Sequence, residues 1–190
     1  MISTEVSPPT LECPHPELWS MFDDNSAEVE VVHFLYDLIK LIKPKLVVET
    51  GTHIAISAGY MASAISSNGF GKLVTCETQE CYHKGIEQKL APLSLWVDFR
   101  KCSSLELDIR EPIDILFSDS DPRIRMREVG HLWNRLTPTS LILIHDVNSG
   151  GHNELRREVL SWEKECDKIL SVVMLPTPRG LAICQKRHGR

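Results

Sequence analysis

Hydrophobic and polar positions along the chain alternate between two rhythms. Short apolar runs, rich in β-branched residues and closed by Gly, Pro or acidic residues, occupy 46–50, 73–77, 96–100, 113–118, 141–145, 169–175 and 181–186. Such runs predict strands. Between them, apolar residues recur at helical spacing. One helix is expected from the cap chemistry of Asn25 and Ser26 to Lys43, with Glu28 in its first turn and Val31, Leu35, Leu38 and Ile42 on one face. Pro44 stops it. Further helices are expected over 57–68, ending at Gly69, and over 79–90, 123–136 and 153–166, the last with Leu155, Val159 and Trp162 facing inward.

Strands that are apolar almost throughout and alternate with helices indicate a parallel sheet buried on both faces. The last connection, 176–180, is too short for a crossover, so the final strand must return antiparallel. The expected fold is therefore α/β: a Rossmann-like, seven-stranded, mostly parallel sheet with a terminal antiparallel hairpin strand and helices on both faces. Residues 1–25, with Pro8, Pro9, Pro14 and Pro16, read as an irregular arm. Residues 26–190 read as one domain, a size that can bury a full core.

Composition narrows the partners. A net charge of -5 argues against a nucleic-acid or anionic-membrane surface. No apolar run approaches the roughly 20 residues that span a bilayer, and the N-terminus lacks the pattern of a signal peptide. The six cysteines are scattered with no C-x-x-C pair, which suggests structural thiols in a reducing, cytoplasmic setting.

Acids gather where chemistry is expected. In open α/β sheets ligands bind outside the carboxyl ends of the strands, and Glu49, Glu77, Asp119 and Asp146 close the first, second, fourth and fifth strands. Four carboxylates along one crevice repel one another unless something cationic or hydrogen-bonding lies among them. The first strand-to-helix turn, Glu49-Thr50-Gly51-Thr52-His53-Ile54-Ala55-Ile56-Ser57, has one glycine and an acid at its mouth, unlike a phosphate cradle. An acid for an ammonium or sulfonium, and a second acid for a ribose diol, describe S-adenosyl-L-methionine better than NAD or ATP. The series Arg123, Arg125, Arg127 spreads around a helix and is expected to be solvated.

In these motifs the chain resembles the class I S-adenosylmethionine-dependent methyltransferases, especially the small O-methyltransferase-like branch. Residues 46–52 and 73–77 are similar to the family's first and second motifs, 114–121 to the fourth-strand motif with its D-x-D, and 144–147 to the fifth. The resemblance implies methyl transfer from S-adenosyl-L-methionine to a small-molecule acceptor, with an oxygen nucleophile. It implies cofactor contacts at Glu49, Gly51, Thr52, His53, Ser57, Glu77, Thr78, Ser103, Ser104 and Asp119. It implies catalytic roles for His145, Asp146 and Asp119. A divalent metal would fall to Asp119, Asp146 and Asn148, although Val147 stands at the family's Asn position. His53 and His152 are further candidate bases, and a homodimer is a candidate assembly. Three positions depart from the family: Ala55 for a second glycine, Pro122 for a His or Lys, and Thr139-Ser140 for a Gly-Gly turn. With alanine at 55 the loop is expected to pass without a positive φ. The alternatives are a catalytically inactive cofactor-binding module and a nucleotide-binding oxidoreductase domain.

Overall fold

The computed structural model describes residues 8–148, 153–164 and 170–186. Strands β1 (Leu46–Thr50), β2 (Lys72–Cys76), β3 (Val97–Arg100), β4 (Ile113–Ser118), β5 (Leu136–His145), β6 (Leu170–Leu175) and β7 (Leu181–Lys186) form one sheet in the order β3-β2-β1-β4-β5-β7-β6. Successive side chains on a strand face opposite ways, and here both faces are covered. Leu46, Val48, Leu116, Ile142 and Ile144 join a core with α4 (Arg125–Leu132) and α5 (Asn153–Lys164). Val47, Ile115, Phe117 and Leu143 join a second core with α1 (Val29–Ile42), α2 (Ile56–Asn68) and α3 (Glu80–Leu90). Two buried faces are why these strands read as unbroken apolar runs. β1 to β5 are parallel, and β7 lies antiparallel between β5 and β6.

Two elements differ from expectation. The Asp23 carboxylate accepts from the N–H groups of Asn25 and Ser26 and from the Ser26 hydroxyl. That closes a turn, so α1 starts only at Val29 and its buried stripe is Val31, Val32, Leu35 and Ile39, leaving Ile42 exposed. The helix expected over 123–136 contracts to α4, and Leu136 already begins β5. Pro138 sits inside that strand, where the register shifts from Ile113↔Leu136 to Ile115↔Leu141. A proline lacks a ladder donor and is tolerated at such an irregularity. Ser140 repairs the gap, its Oγ donating to the Ile113 carbonyl at 2.5 Å and accepting the Thr137 N–H at 2.7 Å.

Ala55 overturns an expectation directly, because its φ is 62° and that of His53 is 48°. The loop keeps its left-handed shape without the glycine. A left-handed residue with a Cβ costs about 1–2 kcal/mol, and the buried methyl recovers part of this. Ala55→Gly should therefore stabilise the fold by about 0.5–1 kcal/mol. Thermal unfolding would show a midpoint a few degrees higher, and a lower midpoint would contradict the reading.

Candidate active site

The β1–α2 loop forms the floor of the site. Gly51 has φ +83°, and a Cβ there would lie 2.6 Å from the Asp119 carbonyl oxygen at the end of β4. Glu49 turns away from the cleft. It is fully buried and accepts the hydroxyls of Ser57 and Thr75, each at 2.5 Å, while Thr52 Oγ1 meets Thr75 Oγ1 at 2.6 Å. Burial pushes the Glu49 carboxyl up to about 7, with the two hydroxyls pulling partly back. Glu49, Thr52 and Ser57 do not line the cleft, so the expected pairing of Glu49 with Glu77 around one ligand is corrected. The carboxylate shapes the loop from behind.

The cleft is a cavity of about 520 Å³ at the carboxyl ends of the parallel strands, lined in part by Gly51, His53, Glu77, Thr78, Ser103, Ser104 and Asp119. Glu77 accepts the N–H groups of His53 and Gln79, each at 2.9 Å. A carboxylate has about four lone-pair sites, so capacity for further hydroxyl donors remains. His53 Nδ1 is buried without a hydrogen-bond partner, and its ring meets Tyr82 edge-on at 4.7 Å. Phe22 lines a separate cavity of about 700 Å³ between α1, α2 and Leu93. Trp133 packs edge-on against Trp162.

Beside the cleft lies a buried cluster of charges. His145 Nε2 is 2.6 Å from a Glu28 oxygen and Nδ1 is 2.9 Å from an Asp119 oxygen. With a carboxylate at each nitrogen the ring donates twice and is an imidazolium. Burial alone would push it down, but the charges of Asp146, Asp119 and Glu28 outweigh that and hold it at about 10. Arg125 Nη2 is 2.7 Å from Asp146 and 3.1 Å from Asp119, and Arg179 Nε is 2.5 Å from Asp146. Arg179 also donates its N–H to Glu28 and its Nη1 to the Ser26 carbonyl, each at 2.8 Å, tying the chain before α1 to the site. The acids at the sheet mouth thus meet cations that the chain itself supplies.

His145 therefore has no free nitrogen lone pair, which corrects its reading as a general base. Asp146 is 2% exposed and held by two guanidiniums; Asp119, at 11%, is the one of the three with an accessible edge on the cleft. The Arg125 expectation is likewise corrected: it is 2% exposed because α4 begins at this residue and aims its first turn at the ends of β4 and β5. Arg125, Arg179 and Glu28 escaped the sequence reading. The usable signal was the surplus of strand-end acids, which called for cations somewhere in the chain. His152 lies outside the described residues.

A divalent metal does not fit these residues. Arg125 lies between the two aspartates, and the Asn148 amide oxygen accepts from Arg156.

The charges also set a pH profile. Burial pushes Glu28 up, but His145 outweighs it and holds the carboxyl down at about 2. A depressed acid stabilises above its unfolded value near 4.5 and loses that contribution as pH falls toward 2. His145, raised from 6.5, contributes fully below 6.5 and loses its contribution as pH rises through about 10. Glu49, a raised acid, binds its proton more tightly when folded, so its contribution falls as pH rises from 4.5 through about 7. The unfolding midpoint should therefore peak near pH 5 and decline toward pH 10. Glu49→Gln should flatten the lower part of that decline, and an unchanged slope there would refute the assignment.

The fold and this cleft define a class: the seven-stranded sheet with its reversed end is the fold of the S-adenosylmethionine-dependent methyltransferases. Residues 48–147 match the family described as methyltransferase domain, and the chain belongs to that family. No curated protein matches the sequence. Among solved structures, the chain is similar to the Podospora anserina methyltransferase PaMTH1 bound to SAH, at TM-score 0.77 and 13% identity over 87% of this chain and 81% of that one. It is similar to an O-methyltransferase from Bacillus cereus in complex with SAH, at TM-score 0.72 and 18% identity over 87% and 84%. It is also similar to the O-methyltransferase TomG from Streptomyces achromogenes, involved in tomaymycin synthesis and solved with SAM, at TM-score 0.70 and 16% identity over 87% and 83%.

Proposed function

We propose that this chain transfers the methyl group of S-adenosyl-L-methionine to an oxygen atom of a small molecule. One observation carries the reading: the cleft is lined by four carboxylates, Glu77, Asp119, Asp121 and Asp146, against the guanidiniums of Arg125 and Arg179 and that of Arg123 on Asp121, which leaves one carboxylate in excess. That net negative lining favours a cationic nucleoside and disfavours a diphosphate. Bound there, the cofactor supplies a methyl carbon already activated by a sulfonium. Glu77 takes the ribose diol, Thr78, Ser103 and Ser104 line the nucleoside side, and Gly51 and His53 let the loop backbone approach the amino-acid end. Glu49, Thr52 and Ser57 support that loop.

The chain's own part is positioning, which can contribute roughly 7–11 kcal/mol to such a displacement. Among the described residues His145 and Asp146 are committed to their ion pairs and Pro122 offers no proton acceptor, which leaves His53, its Nδ1 without a hydrogen-bond partner, as the imidazole on the cleft. Asp119 orients the reacting groups at the cleft edge. An acceptor whose hydroxyl ionises near neutral pH suits this site. The reading includes a cytoplasmic setting, in keeping with the free thiols Cys13, Cys76, Cys81, Cys102 and Cys184, and a homodimer as the assembly. No helix among the described residues is long and apolar enough to cross a membrane. A second reading, a cofactor-binding module without turnover, is favoured by the commitment of His145 and Asp146 to their ion pairs.

Calorimetry tests the proposal. S-adenosylmethionine and its demethylated product should bind, and NAD should not. Glu77→Ala should weaken both by roughly tenfold to a hundredfold, the worth of hydrogen bonds to a charged acceptor, with the unfolding cooperativity retained. NAD binding in preference to the demethylated product would overturn the proposal. Tight product binding without turnover of any oxygen acceptor would select the second reading.

A further inference from the structure

We propose that the Arg125 guanidinium, backed by that of Arg179, fills the position a divalent cation would need between Asp119 and Asp146, so the chain brings its own cation and the site takes no metal.

The geometry is specific. The ligand-bearing atoms of Asp119, His145 and Asp146 lie within 4.8 Å of one another, a spacing that would suit an ion. The gap between the two aspartates is nonetheless taken, with Arg125 Nη2 3.1 Å from one carboxylate and 2.7 Å from the other. A bridging magnesium or calcium would need those same oxygens at about 2.0–2.6 Å. Arg125 is also anchored from behind. Its Nε and Nη2 donate to the Ser120 carbonyl at 3.1 and 2.7 Å, and Nη1 donates to the His145 carbonyl. Swinging it aside would leave a buried guanidinium and two strand-end carbonyls unpaired. The other Asp146 oxygen is held by Arg179 at 2.5 Å. Two carboxylates against two guanidiniums are already neutral, so an added divalent ion would bring two uncompensated charges into a buried place.

Among the described residues no third protein ligand waits nearby. Both His145 nitrogens face carboxylates, and the Asn148 oxygen accepts from Arg156. Val147, fully buried, offers no donor. A metal can lower the pKa of an acceptor hydroxyl; a guanidinium cannot ligate one, so this site orients an acceptor without that help. This consequence rests on the proposed methyl transfer, whereas the ion test below does not.

The experiment is manganese titration of the full chain, read by electron paramagnetic resonance of free Mn²⁺. Wild type should bind none at micromolar concentrations, and its affinity for the demethylated cofactor should be the same in chelator and in Mn²⁺. Arg125→Ala uncovers the aspartates, so it should bind Mn²⁺ roughly a hundredfold more tightly than wild type and rise in unfolding midpoint when Mn²⁺ is added. Stoichiometric Mn²⁺ binding by wild type that disappears in Asp119→Asn would overturn the proposal, as would an Arg125→Ala protein that folds but gains no affinity. If that variant fails to fold even with Mn²⁺, the wild-type titration decides alone. Failure of the demethylated cofactor to bind would count against the methyl-transfer reading and leave the ion result standing.

Discussion

Gly51→Ala should abolish measurable binding of S-adenosylmethionine and its demethylated product. The backbone at Gly51 has φ +83°, and an added Cβ would lie 2.6 Å from the Asp119 carbonyl oxygen and 2.7 Å from the Ser120 Cα. These are backbone atoms at the end of a central strand and cannot rotate away as a side chain could. The left-handed conformation alone costs about 1–2 kcal/mol with a Cβ, and the clash adds to it. The loop must therefore lift off β4. Gly51 and Thr52 both donate to the Cys76 carbonyl at 3.1 Å, so lifting the loop also strains its join to β2, beside Glu77. The floor of the cleft and its ribose acid would then move together. Equilibrium binding should fall by at least a hundredfold, while the distant hairpin of β6 and β7 keeps the sheet cooperative. Near-normal binding in this variant would show that the cofactor does not sit on the β1–α2 loop.

Arg125→Ala should be the most destabilising single change near the site. Breaking one partner out of a buried ion pair typically costs about 3–5 kcal/mol, because the remaining charges stay buried without compensation. Here the carbonyls of Ser120 and His145 lose their guanidinium donor, and Asp119 and Asp146 lose one of two cationic partners, keeping His145 and Arg179 respectively. Against a total stability of about 5–15 kcal/mol the loss is large but need not be complete. Chemical denaturation should show the midpoint falling with little change in slope. Added salt should rescue little, because buried pairs are only weakly screened. Arg123 is the internal control: it pairs with Asp121 in the same region but is 83% exposed, so Arg123→Ala should leave stability unchanged. Equal effects at the two positions would mean that Arg125 is not the buried keystone described above.

Much of the fold is legible in the sequence. The strands over 46–50 and 113–118 stood out because burial on both faces requires apolar side chains at every position, and Gly69 marked the end of α2 because a left-handed cap favours glycine. The reversed last strand followed from a connection too short to cross over. The strand expected over 141–145 begins earlier, at Leu136, because the Ser140 side chain lets β5 run through Pro138, where a proline usually ends a strand. Ala55 misled: propensity argued against φ > 0, and the loop's tertiary contacts prevailed.

Residue order alone determined which carboxylates close which strands, and that their number at one sheet edge exceeded what bare repulsion would tolerate. It could not tell which way each side chain turns at a strand end, because a single dihedral separates the cleft from the core. Only the tertiary structure sent Glu49 behind its loop, turned Glu77 toward the cleft, and brought together Glu28, Arg125 and Arg179, the first and last of them 151 positions apart in sequence. Charge pairing acts through space at a few ångströms and has no period along the chain, so no pattern in the sequence could reveal it.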